Sequence, residues 1–330
     1  MPRQARLDAP GTLHHVMDRG IEKTAIFRQE EDRIDFLNRV ALLCQEEAWK
    51  VYAFALMENH FHLLIRTCRQ SLSYSMRKLL TGYVVNFNRR HKRYGHLFQN
   101  RYKSIICEDD PYLLELTRYI HLNPLRAGLV KGLGELNRYA WTGHSAILGR
   151  VERDWQDVET VLAYFGNRRK MAVTRYEQYV REGTGQGRRP ELVGGGLIRS
   201  IGGWSQVVSL RRKGMQSTYD DRILGSSDFV SGLLREAEAK EKETLRLSLK
   251  VRDLDSLAKE IVKREGVEEK ELRTANRRAE AVRARRLFCQ LAVKKLRYYG
   301  AEVARYLGMT TSAVNRSANS KELPEIKNYI

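Results

Sequence analysis

The chain has 330 residues, with 59 Lys and Arg against 40 Asp and Glu, a net charge of +19 and a pI near 9.9. Its 42% apolar and 30% charged residues suffice for about two ordinary domains of roughly 150 residues, which excludes a wholly disordered chain. No run approaches the roughly 18 uninterrupted apolar residues of a membrane span, and the opening MPRQARLDAPG lacks the apolar stretch of a secretory signal.

A cytoplasmic protein with no membrane partner is therefore expected. The four cysteines, Cys44, Cys68, Cys107 and Cys289, lie far apart with no CxxC pair. They are expected to be buried apolar residues rather than a disulfide framework or a thiolate zinc site. So large a surplus of positive charge is a statement about partners, and a phosphate polymer fits it better than solvated helix faces do.

In chain order, Leu13 to Met17 reads as a short strand, and Glu30 to Glu47 as an amphipathic helix with Ile34, Leu37, Val40, Ala41 and Cys44 at helical spacing. Val51 to Met57 is an apolar run too short for a helix, and His60 to Arg66 continues as a third strand. Leu72 to Arg90 is a second helix, Tyr102 to Cys107 a fourth strand, and Pro111 to Leu122 a third helix. Asp109 or Asp110 is its expected N-cap and Pro111 falls in its first turn. Pro124 disfavours helical geometry in the residue before it, so this helix is expected to stop at Asn123. Strand, helix, strand, strand, helix is the order found in ferredoxin-like α+β layers, with the fourth strand following.

Glycine then recurs from Gly183 to Gly196, at Gly202 and Gly203 before Trp204, and at Gly225 before Ser226 and Ser227. Residues 151–240 are accordingly expected as a mostly helical connector, with a joint in the first glycine stretch. Residues 241–330 form an expected all-α C-terminal domain, and residues 1–150 the first domain.

In ENHFHLLI, alternate strand residues share a face, so His60 and His62 point one way and Phe61 the other. Two imidazoles about 7 Å apart on a sheet face can share one divalent metal. A solvated pair is the bland alternative, but apolar neighbours on both sides of the strand argue against it. Tyr119 and Asn123, four residues apart, lie on one face of the third helix and could offer a phenol and an amide to the same point. A phenol of pKa about 10 is a poor nucleophile unless a base takes its proton and a cation neutralises the phosphate it attacks. Spacing alone does not choose Tyr119 over Tyr83, Tyr102 or Tyr112.

Three blocks, ENHFHLLI, Gly95 to Lys103 (GHLFQNRYK) and Arg118 to Val130 (RYIHLNPLRAGLV), together resemble the REP-associated tyrosine transposases. These are the single-tyrosine branch of the HUH (His-hydrophobic-His) nucleases, and the resemblance covers about residues 10–150. It implies the HUH nuclease fold and a metal-dependent single-stranded DNA endonuclease and strand transferase that cuts at hairpin repeats. It also implies that His60 and His62 hold Mg²⁺ or Mn²⁺, with Asn123 at the spacing of a third ligand. Tyr119 would be the nucleophile of a 5′-phosphotyrosine intermediate. Two rivals remain open: a non-catalytic DNA-binding regulator, and a metal-dependent phosphodiesterase that uses water. Whether such a protein acts as monomer or homodimer is open too.

Arg89, Arg90, Lys92, Arg93, Arg101 and Lys103, interleaved with Tyr94, Phe98 and Tyr102, are expected to form a basic groove with rings for base stacking. Near the C-terminus, Gly300 to Val314 reads as a helix-turn-helix. Ala304 is small where the helices cross, Gly308 makes the turn, and Val303, Leu307 and Val314 supply the contacts. Its second helix would present Thr311, Ser312, Asn315 and Arg316 to duplex DNA. The basic helix before it, with Arg285 and Arg286, would grip flanking phosphates. This region resembles the C-terminal DNA-binding domain of replication initiators, which some long members of the transposase family carry.

Overall fold

The computed structural model describes residues 11–68, 70–187, 189, 192, 222–226, 228–235, 253–274, 278–296 and 298–329. The expected glycine joint is described up to Gly187 and the Gly202–Trp204 segment lies outside the described residues. The chain divides into two compact units, residues 1–232 and 233–330.

In the first unit, β1 (Leu13–Arg19), β2 (Trp49–Leu56), β3 (His60–Thr67) and β4 (Lys103–Cys107) form a sheet of order β2-β3-β1-β4, the ferredoxin-like arrangement. All three of those pairings are antiparallel. The strand β5 (Ile223–Leu224), within the expected helical connector, adds a parallel edge beside Ile106 and Cys107. The result is an α+β fold on a mixed five-stranded sheet.

Helices α1 (Glu30–Gln45) and α2 (Leu72–Arg90) cover one face of the sheet. Gln29 caps α1 reciprocally with Asp32, and Ser71 caps α2 by accepting from the Tyr74 N–H at 3.3 Å. Phe36, Phe61, Leu63, Ile65, Met76, Tyr83 and Phe87 are sealed between these helices and the strands. Phe36 and Phe61 meet with ring centroids 4.8 Å apart.

The other face is covered by α3 (Asp109–Arg126), together with α4 (Leu133–Leu136), α5 (Gly143–Ile147), α6 (Val158–Ala163) and α7 (Arg169–Glu182). Residues 151–187, expected to begin a separate connector, thus belong to the first unit: Val161, Leu162, Tyr176 and Val180 are buried in the same core as Leu64 and Ile120. Two expectations about α3 are corrected. Its N-cap is Glu108, with Asp109 already the first helical residue. The helix also runs through Pro124 to Arg126. Proline removes one N–H from the ladder, yet bonding resumes at once with Ala127 N–H to the Asn123 carbonyl at 2.9 Å. Burial of Leu122 and Pro124 offsets the lost bond.

In the second unit, α8 (Leu254–Glu265), α9 (Glu269–Arg273), α10 (Ala279–Cys289), α11 (Gly300–Leu307) and α12 (Thr311–Asn319) surround Leu257, Ile261, Leu287, Phe288, Val303, Leu307 and Val314. Gly308 turns the chain after α11 at φ +64°, a conformation that favours glycine. Thr310 caps α12 by accepting from the Ala313 N–H. Among the described residues, no helix is long and apolar enough to cross a membrane.

Candidate active site

The register of the sheet places Met17 of β1 directly between His62 of β3 and Lys103 of β4. Strand alternation sends His60 and His62 to the α3 side and Phe61 to the α1/α2 side. A cleft of about 680 Å³ opens there, and His60, His62, Tyr119 and Asn123 all line it. The His60 and His62 rings lie 5.2 Å apart at their centroids, nearly perpendicular. The Tyr119 ring stands edge-on to His62 at 6.1 Å. The four side chains singled out from sequence are therefore brought together by two elements, β3 and one face of α3.

Both imidazoles are held neutral. Burial, assisted by the positive charge of Arg19, pushes His60 down to about 4. Burial holds His62 well below the usual histidine range, and neighbouring His15, His60 and Arg19 add to the effect. A neutral ring is the form that binds a cation. Asn123 lines the cleft, and its side-chain nitrogen is a buried donor with no hydrogen-bond partner. Among the described residues, no three His, Cys, Asp or Glu side chains converge as a metal cage. A cation here would be held by two imidazoles, the Asn123 amide oxygen and phosphate or water oxygens, a set that suits Mn²⁺ or Mg²⁺.

The basic residues divide sharply. Arg101 and Lys103 line the cleft. Arg90 does not: its guanidinium pairs at 2.5 Å with Asp32, a fully buried carboxylate that also meets His91 at 2.9 Å. Hydrogen bonds from His91, the Arg28 and Gln29 amides and Arg90 overcome the burial that would raise Asp32, and keep its carboxyl below the usual value. Arg93 lies over the Phe87 ring and donates to the His96 carbonyl. Arg89 and Lys92 are exposed but do not line the cleft. Of the three rings expected to stack on bases, Tyr102 is buried and Phe98 packs on Phe61, whereas Tyr94 stands 95% exposed. The expected groove thus separates into a cleft floor and a remote helix end tied down by Asp32.

Sequence reasoning missed Arg19, Arg126, Arg189 and His15. Arg126 sits one turn past Asn123, places its guanidinium 5.4 Å over the Tyr119 ring and donates to the Tyr119 carbonyl. Its position seven residues after Tyr119 was a readable signal, hidden by the expected helix end at Asn123. Arg189 pairs with Glu115 of α3 at 3.3 Å and also lines the cleft.

In the second unit, Thr311, Ser312, Asn315 and Arg316 are exposed on α12. Arg285 and Arg286 are corrected: Arg285 is buried and donates to the Glu271 and Thr274 carbonyls, and Arg286 donates to Ser320 Oγ and the Lys321 carbonyl. Both guanidiniums tie α10 to neighbouring segments of the unit, donating to the Glu271, Thr274 and Lys321 carbonyls.

Residues 11–123 match the family described as "Transposase IS200 like". No curated protein matches the chain. Among solved structures, the one titled "Structure of the REP associates tyrosine transposase bound to a REP hairpin" is 11% identical. The match covers 48% of this chain and 98% of that one, with a TM-score of 0.35.

Proposed function

We propose that the protein is a metal-dependent single-stranded DNA endonuclease and strand transferase of the REP-associated kind, acting at hairpin repeats. The observation that carries this reading is the convergence of His60, His62, Tyr119 and Asn123 on one basic cleft. His60, His62 and Asn123 would hold Mg²⁺ or Mn²⁺, which when bound would polarise a phosphate oxygen. Tyr119 Oη attacks the phosphorus, the bond to the 3′ oxygen breaks, and a 5′-phosphotyrosine and a free 3′-hydroxyl result. The phenolic proton leaves as the bond forms, and the departing 3′ oxygen takes one up. Arg126 over the Tyr119 ring, with Arg19, Arg101 and Lys103, would offset the charge of the strand. Because one phosphodiester is exchanged for another, the step runs in both directions and permits rejoining.

The test is a denaturing gel after incubation with single-stranded DNA carrying the hairpin repeats that flank the protein's own gene. The wild type should form a covalent adduct, which water-using hydrolysis and a purely regulatory protein would not. Tyr119→Phe should form none and still bind the strand nearly as tightly. Undiminished cleavage by this variant would remove Tyr119 from the nucleophile role.

The α11/α12 pair of the second unit supports a helix-turn-helix reading, with duplex DNA as its partner. Arg316→Ala should then weaken duplex binding and reduce the slope of log affinity against log salt by roughly 0.9. Equal slopes for variant and wild type would make α12 a structural or protein-binding helix.

A further inference from the structure

Each of the two cleft histidines is backed by a hydrogen-bonded partner that in turn ends on a backbone carbonyl. His62 Nδ1 lies 3.0 Å from His15 Nε2, and His15 Nδ1 lies 3.2 Å from the Leu192 carbonyl oxygen. A carbonyl can only accept, so His15 carries its proton on Nδ1 and its Nε2 is a bare acceptor. His62 must then donate from Nδ1, which leaves the lone pair on its Nε2. The second chain reaches the same result through different chemistry. Asn59 Nδ2 donates to the Lys23 carbonyl at 3.1 Å, which orients the amide so that Oδ1 faces His60 Nδ1 at 2.7 Å. His60 therefore also donates from Nδ1 and keeps its lone pair on Nε2.

We infer that His15 and Asn59 are positioning residues that lock His62 and His60 in the Nδ1–H tautomer, presenting both Nε2 lone pairs to the cleft for one divalent cation. The inference rests on the metal reading above and deepens it. In a neutral imidazole the two tautomers are close in energy in water, so an unlocked ring spends much of its time with a proton where the cation must bind. Fixing both rings removes that competition and also fixes their planes. His15 is fully buried and its ring meets that of His62 edge to edge, tilted by 29° with centroids 5.2 Å apart, so the lock is rigid as well as directional. Outer partners of this kind change metal affinity by about 10–100-fold when removed.

Two measurements on the full chain decide it. The first is the ¹⁵N spectrum of the metal-free wild type, with ring signals assigned by single-histidine substitution. His60 and His62 should both carry the proton on Nδ1, and a proton on Nε2 of His62 would overturn the inference whether or not metal binds. The second is titration with Mn²⁺ alone, counting free ion by electron paramagnetic resonance. His15→Phe keeps a ring but loses the acceptor, so its dissociation constant should rise about 10–100-fold. His15→Gln can place Oε1 where Nε2 was and should recover most of the affinity. Affinity in His15→Phe equal to wild type, or an equal loss in His15→Gln, would also overturn it, the second by making His15 merely structural. A wild type that takes up no Mn²⁺ would sink the metal reading, while the spectrum would still judge the tautomers.

Discussion

The two faces of the sheet are made by the same strands, yet they place opposite chemistry side by side. Phe61 and His62 are adjacent in β3. Phe61 enters a dry layer of rings with Phe36, Tyr83 and Phe98, whereas His62 enters a layer in which buried polar groups bond one another and border an open cleft. The period of two in a strand lets one segment serve both purposes without a loop. The apolar side supplies burial, about 25 cal/mol per Å² removed from water, and so holds the backbone that aims the histidines. The α3 side has an apolar core of its own around Leu64, Leu116 and Ile120, and beside it carries the groups with which the cleft could act on a phosphate.

Substitution on each side should therefore produce opposite losses. Phe61→Ala deletes a fully buried ring from a packed layer and should cost about 3–5 kcal/mol, read as a shift of the urea transition. Tyr119→Phe, which removes one hydroxyl from a half-buried ring, should leave that transition where it was while abolishing the covalent adduct. If Tyr119→Phe destabilised the protein as much as Phe61→Ala, the faces would not divide stability from chemistry and the contrast would fail.

How much of this could be read from the chain varies with the range of the interaction. The strands β1 and β3, the helices α1 and α2, and the shared strand face of His60 and His62 follow from local periodicity, and the cleft gathers those histidines with Tyr119, Asn123, Arg101 and Lys103. Contacts across long sequence separations were not legible. Arg90 meets Asp32 58 residues away, and His15 meets Leu192 177 residues away; nothing local marks such partners. Arg285 and Arg286 show the same limit, since a basic helix face reads alike whether it meets phosphate or carbonyls. Pro124 misled for a different reason: a local preference for ending the helix was overridden by the burial of the residues around it.

The smallest expected effect is one of pH, and it separates the faces by where each begins to fail. On the α3 side, Asn137 Nδ2 donates to Glu177, so Asn137 Oδ1 must accept from His144 Nε2–H at 2.9 Å. His144 Nδ1 is then a bare acceptor for the Tyr176 hydroxyl at 2.8 Å, and Tyr176 in turn accepts from His121 Nδ1 at 2.8 Å. The directions are fixed throughout, and a proton added to His144 Nδ1 would face another donor. Burial pushes His144 down to about 4, against 6.5 for a free imidazole. Above 6.5 neither folded nor unfolded chain binds this proton and the group adds no pH dependence. Between 6.5 and about 4 the unfolded chain binds it and the folded chain does not, so stability falls as pH drops, by up to about 1.4 kcal/mol per pH unit. On the α1/α2 side the main buried acid is Asp32, held below the usual carboxylate value, and its contribution is lost only as pH falls below about 3.8. Urea midpoints of wild type and His144→Gln at pH 7, 5.5 and 4.5 should therefore converge as the pH falls, because the variant lacks the titrating ring. Parallel curves would mean that His144 is not held neutral, and that acid does not reach the α3 face first.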